Sequence, residues 1–251
     1  MKKLNIIFDI DGVLFKENKL KIVRKSGLVK MLFYLLTHQK NPVKIGYDVF
    51  KKMHEAWDTN KTPTLVYKKK PMPECVTQWM KGFISDKTLL EHIDKFIANL
   101  QKVKYFASEF EKNLIQQTIK IILDESQIPS NSKPIAPMIK LVNTLKHKKH
   151  NLFVISNYAK KASLGMLAQH KEFFSLFDDI VISGNIGLVK PEREIFDYFL
   201  HKNNLSPQEC IFIDDQEQNV QAAQNIGITS LQYSDAEHSK IIDNLQKLGA
   251  L

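Results

Sequence analysis

The chain has 251 residues, 43% hydrophobic and 25% charged, a globular composition with room for one large domain or for one domain carrying a second. Its net charge of +9 is uneven: 22 Lys and Arg stand against 12 Asp and Glu between residues 16 and 133, and 14 against 15 elsewhere. No stretch approaches the roughly 20 apolar residues of a membrane span, and two widely separated cysteines, Cys75 and Cys210, argue against a disulfide framework or a zinc site and suit a reducing, cytoplasmic compartment.

The chain opens on MKKLNIIFDIDG, where acids and a glycine interrupt the apolar run too soon for a signal peptide, so the run is predicted to be a first strand. From about residue 19 to 127 the periodicity is helical, with no convincing strand. LVKMLFYLLTH (28–38) and YDVFKKMHEAW (47–57) come first. Pro71 and Pro73 then break the chain, and TQWMKGF, TLLEHIDKFIANLQ and EFEKNLIQQTIKIILDE follow. Trp57, Trp79, Phe33 and Tyr34 are expected to form the core of this block rather than a substrate box.

From Pro134 the pattern alternates. Helices are expected at 134–149, 160–169, 191–202, 216–225 and 235–248, and strands at NLFVIS (151–156), IVIS (180–183), CIFID (210–214) and 229–233. Pro191 sits in a first turn with Glu192 and Glu194 near the positive end of the dipole, and Gly227 closes helix 216–225. Strand–helix alternation of this kind predicts an α/β fold, a Rossmann-like doubly wound parallel sheet, here with an inserted all-helical domain. The expected division is a core of residues 1–15 and 130–251 and an insertion of residues 16–129.

Three predicted strands end on polar residues: Asp9 with Asp11 just beyond, Ser156 with Asn157, and Asp214 with Asp215. In an open parallel sheet the carboxyl ends of neighbouring strands lie side by side, so these residues converge on one site. Four close carboxylates need compensation. A hard divalent cation, most simply Mg²⁺, would provide it, and Lys190 in the loop GLVK would provide more.

This constellation resembles the haloacid dehalogenase (HAD) superfamily. FDIDGVL looks like its motif I, ISN at 155–157 its motif II, Lys190 in GLVKPEREIF its motif III, and FIDD with Asn219, Ala222, Ala223 and Gly227 its motif IV in the double-aspartate form. The helical block falls where the family places a type 1 cap. The resemblance implies that Asp9 is a nucleophile forming an aspartyl-phosphate and Asp11 a general acid and base. Ser156, with Asn157 and Gly12, would bind the phosphoryl group, and Lys190 would neutralise its growing charge. Asp9, Asp11 through its carbonyl, and Asp214 or Asp215 would hold Mg²⁺. Asn219 would support the site by orienting Asp215.

The expected function is a cytoplasmic Mg²⁺-dependent phosphatase acting on a small phosphomonoester. Asp11 argues against a 2-haloacid dehalogenase, which lacks that acid. The basic insertion suggests a substrate with negative charge beyond its phosphate, such as a nucleotide or sugar phosphate. A phosphorylated metabolite is the expected partner, rather than nucleic acid or a membrane. The alternatives are a sugar phosphomutase of the same family and a binding or scaffold protein whose basic helix 28–38 docks on a membrane or an acidic partner.

Overall fold

Asn5–Phe8 forms the first strand, β1, an apolar run buried on both faces as a central parallel strand requires. The computed structural model describes residues 3–59, 62–67 and 69–251; the other positions belong to the expected core and insertion and lie outside the described residues. Phe15–Glu17 is β2, Val66–Tyr67 β3, Lys70–Pro71 β4 and Ser132–Pro134 β5. Asn151–Ser156 is β6, Asp179–Ile182 β7, Cys210–Asp214 β8 and Thr229–Gln232 β9.

Five of these strands make one sheet in the order β7-β6-β1-β8-β9, and every pair is parallel. The chain winds outward from β1 in both directions, so the strand order reverses at β1, and the crevice outside the carboxyl ends there is where a ligand is expected. Register fixes what meets at that edge. Phe8 lies opposite Val154 on one side and Ile213 on the other, which brings Asp9 level with Asp214. The Asp9 N–H donates to the Ile213 carbonyl at 3.0 Å and carries the ladder one residue further.

Alternation along β1 divides the core. Ile6 and Phe8 belong to the larger apolar cluster, which includes many of the insertion's buried side chains, Phe50, Trp79 and Phe96 among them. Ile7 points to the other face, where Phe153 and Phe212 pack with Phe196 and Phe199 of helix Arg193–Asn203. Full burial of a side chain of this kind is worth about 1.5–3 kcal/mol, so both faces contribute to holding β1 at the centre.

The chain leaves the core along β2 and returns along β5. These two strands pair antiparallel, with Phe15 opposite Pro134 and Glu17 opposite Ser132. Between them run helices Lys19–Lys25, Leu28–His38, Pro42–Trp57, Glu74–Met80, Asp86–Lys102 and Glu109–Leu123. Helix Pro42–Trp57 starts a turn and more before the expected 47, because Pro42 fits its first turn and Asn41 accepts from the Val43 and Lys44 amides. The insertion is not all-helical. β3 and β4 form a two-residue hairpin, Val66 opposite Pro71 and Tyr67 opposite Lys70, too short to show a period of two in the sequence. Of the four aromatics expected in its core, Tyr34 and Trp79 are buried, whereas Phe33 and Trp57 are exposed.

Candidate active site

The turn after β1 is built around Gly12. Its φ of +85° is a left-handed value that side chains disfavour, and a Cβ there would lie 2.5 Å from the Asp215 carboxyl carbon. The Gly12 amide donates to the Phe15 carbonyl at 2.7 Å. Gly12 is therefore required by the close approach of Asp215, and its amide is committed inside the turn rather than offered to a phosphate as the sequence suggested.

Asp9 is buried, with a carboxylate oxygen 2.8 Å from the Lys190 ammonium. That ammonium also donates to the Asp214 carboxylate at 2.7 Å and to the Ile155 carbonyl at 2.8 Å, so its three protons have three protein acceptors. Burial works against the Lys190 charge, but Asp214 and Asp9 outweigh it and hold its pKa above the ordinary value. Lys190 is thus a counter-ion for two carboxylates, Asp9 and Asp214, at the strand ends it was expected to reach. Asn157 holds it in place: the side-chain amide donates to the Lys190 carbonyl and accepts from the Lys190 N–H, both at 2.8 Å. The Asn157 side chain thus positions Lys190, and it also lines the cavity described below.

Asp214 is wholly buried and accepts from the Gln216 amide at 2.8 Å and from Asn219 Nδ2 at 3.0 and 3.1 Å. Asn219 therefore orients Asp214, not Asp215 as expected. Asp215 turns the other way, into the cavity described below. Ser156 Oγ is buried and has no hydrogen-bond partner among the described residues, although it lies near enough to Asp9 to favour that carboxylate's charged form. It does not cap the following helix. That N-terminus is capped from the insertion side by Glu125, which accepts from the Lys161 and Ala162 amides at 3.0 and 3.3 Å.

Asp9, Asp214 and Asp215 each offer an oxygen within 4.8 Å of the others. Three hard oxygen donors facing a single ammonium fit a small hard dication such as Mg²⁺ better than a thiophilic metal. The Asp11 carboxylate is not part of this group; it accepts from Tyr67 of the β3–β4 hairpin at 3.2 Å. Burial raises the Tyr67 phenol well above its ordinary pKa, and Asp11 raises it further, so the phenol stays protonated as the donor.

Crowded acids without a metal should hold protons. Burial raises the Asp9 carboxyl from 3.8 to about 6, Lys190 opposing and Asp214 adding to the rise. Burial also raises Asp215 to about 8, helped by Asp9, Asp214 and Asp11. Raised carboxyl values mean that the folded chain binds more protons than the unfolded one, so this part of the stability falls as pH rises from about 4 to about 8. Mg²⁺ competes with those protons. The predicted result is a metal-free melting temperature that drops across this interval and a Mg²⁺-induced rise that is larger at pH 8 than at pH 5. Thermal melts with and without Mg²⁺ check it; a pH-independent Mg²⁺ effect would show that these carboxyls are not the ligands.

Insertion and core enclose a cavity of about 200 Å³ above the strand ends. Asp9, Asp11 and Asp215 line its floor, and Phe50, Leu65, Met72, Val76 and Trp79 line its insertion side. Lys190 is the one basic residue among the described lining. Among the described residues, the positive charge of the insertion does not line the site. The cavity stands out in the fold only because two sequence-distant segments close on each other, so its apolar wall was not recognisable from the sequence.

The family description that matches, haloacid dehalogenase-like hydrolase, covers residues 63–232. A sesquiterpene phosphatase of Aspergillus oryzae is 32% identical over 41% of this chain and 53% of its own length. Bifunctional epoxide hydrolase 2 of Mus musculus is 28% identical over 38% of this chain and 18% of its own. The chain thus spans about half of the first relative and under a fifth of the second. A HAD family enzyme of Bacteroides thetaiotaomicron, solved with magnesium and inorganic phosphate, superposes with a TM-score of 0.53 at 19% identity, over 94% of this chain and 96% of that one. That likeness speaks for the fold, while the matched span, more than half of the chain and inclusive of Ser156, Lys190 and Asp214, speaks for descent: the chain belongs to the haloacid dehalogenase-like hydrolases.

Proposed function

We propose that this hydrolase is a Mg²⁺-dependent phosphatase whose substrate is a phosphomonoester of an apolar alcohol. One observation carries the reading: the buried Asp9 carboxylate faces a cavity whose floor is acidic and whose far wall is hydrocarbon. The phosphate would lie on the floor by Asp9, whose carboxylate has Ser156 close to it, and the alcohol against Phe50, Leu65, Met72, Val76 and Trp79. Asp9 Oδ would attack phosphorus, forming an aspartyl-phosphate as the phosphorus–oxygen bond to the alcohol breaks. Asp11 would give its proton to the departing alkoxide and then take one from the water that hydrolyses the intermediate. Lys190 keeps Asp9 fixed and its charge tolerable at depth. A bound Mg²⁺, held by Asp9, Asp214 and Asp215, would lower the repulsion between an anionic nucleophile and an anionic ester.

The Aspergillus oryzae relative, named a sesquiterpene phosphatase, agrees with a hydrocarbon leaving group. Two unpaired cysteines suit a cytoplasmic setting. The test is phosphate release, with and without Mg²⁺, from an aryl phosphate, decyl phosphate, farnesyl phosphate, glucose 6-phosphate and AMP. Each buried methylene is worth about 0.8 kcal/mol, so even a few in contact predict kcat/KM for the long-chain esters at least about tenfold above the sugar and nucleotide. Sugar phosphate or AMP leading the series would end the apolar reading. Silence on every ester with Mg²⁺ would end the phosphatase reading, and turnover of glucose phosphates without phosphate release would replace it with a mutase.

A further inference from the structure

Helix Leu28–His38 contains eight apolar side chains, yet only Met31 and Tyr34 are buried. They pack on Leu114, and the Tyr34 hydroxyl donates to the buried Glu111 carboxylate, which fixes the helix's rotation. The other six point outward. Val29 and Leu36 are 80% and 81% exposed, and Leu28, Leu32, Phe33 and Leu35 are exposed beside them. Phe110 of the neighbouring helix meets Phe33 edge-on at 6.0 Å and extends the patch, and Leu20 is exposed as well. Water-facing helices do not ordinarily carry their hydrocarbon outward.

The chain segment that carries the helix has charge of one sign. From Asn18 to Tyr47 the sequence has seven Lys and Arg and no Asp or Glu. Lys21 and Lys25 turn toward Ser130 and Asn131, whereas Lys30 lies on the helix itself and Lys40 and Lys44 just beyond it, all exposed. None of the exposed apolar residues or lysines named here is among the residues lining the cavity. No helix among the described residues is long and apolar enough to cross a membrane.

We propose that this face docks the protein on an anionic lipid bilayer, with helix Leu28–His38 lying in the interface. The outward hydrocarbon would enter the boundary between headgroups and acyl chains, while lysines at its margins meet lipid phosphates and carboxylates. Charge complementarity selects this occupant over a second copy of the chain, since two such faces would set basic rims against each other. Phe33, exposed rather than buried, and the basic segment find one explanation in it. It revises the expectation that the protein has no membrane partner, and it stands whether or not the phosphatase reading holds. If both hold, an apolar ester would reach the cavity from the surface on which it partitions.

Vesicle co-sedimentation of the full chain tests it, with phosphatidylcholine vesicles compared to phosphatidylcholine–phosphatidylserine vesicles. At about 0.1 M salt, where the Debye length is about 10 Å, the protein should pellet with the anionic vesicles and far less with the neutral ones. At about 1 M salt that difference should disappear. Val29→Ser with Leu36→Ser should weaken binding at least tenfold with an unchanged melting temperature, because neither side chain packs in the folded protein. Lys30→Ala and Lys40→Ala should each weaken it about fivefold. Failure to pellet with the anionic vesicles, or binding indifferent to the serine pair, would overturn the proposal. So would a dimer in sedimentation velocity that the serine pair dissolves, since the face would then belong to a second copy.

Discussion

Replacing Asp9 with Asn should abolish phosphate release while leaving the fold intact. The amide has nearly the shape of the carboxylate but cannot attack phosphorus, and loss of a covalent nucleophile costs about four orders of magnitude or more in turnover. Stability should move the other way. The raised pKa of Asp9 shows that its charge is unfavourable where it sits, because burial outweighs the help from Lys190. A neutral amide removes that penalty, and Lys190 keeps Asp214 as its partner at 2.7 Å. At pH 8 without metal, the variant should melt no lower than the parent. Kinetics on an aryl phosphate and a pair of melts check both halves. Near-normal turnover by the variant would assign the nucleophile to another residue.

Replacing Lys190 with Met should be the most destabilising single change in the site. The ammonium is the only cation touching Asp9 and Asp214 among the described residues, and both carboxylates are buried. Removing one member of a buried charge group costs about 3–5 kcal/mol, chiefly because the remaining charges are left uncompensated. For a chain of this size that is a melting temperature lower by about 10 °C. Adding Asp214→Asn to the Met variant should recover much of the loss, since one of the two stranded charges goes with it, and activity should stay absent in both. Equal stability of the single and double variants would mean that Lys190 matters for packing beside Phe212, whose ring centre is 5.3 Å from the ammonium, rather than for charge.

Much of the architecture was legible in the sequence because it is local. NLFVIS and CIFID are apolar runs of strand length between helical patterns, and they form β6 and β8 over the expected residues. Helix Lys160–Gln169 and helix Leu28–His38 fall on their predicted bounds. The hairpin at Val66–Tyr67 and Lys70–Pro71 did not show, for two residues per strand carry no periodicity and Pro71 reads as a break. The paired crossing at β2 and β5 was hidden for another reason: its partners are more than a hundred residues apart.

The candidate site divides in the same way. Sequence alone indicated which residues gather: acids and polar groups at the ends of strands whose regular alternation with helices points to a parallel sheet. Asp9, Ser156, Asp214 and Asp215 follow from that, with Lys190 reaching the same ends from the loop GLVK. Only the tertiary structure decided which way each side chain faces. Asn219 reaches Asp214 rather than Asp215, and Asn157 clasps the backbone of Lys190. The hydrocarbon wall and the outward apolar helix were likewise settled by packing. A periodicity of 3.6 says that a helix has an apolar stripe, but whether that stripe meets the core, a cavity or the outside depends on which helices close over it, and those contacts join residues far apart in the chain.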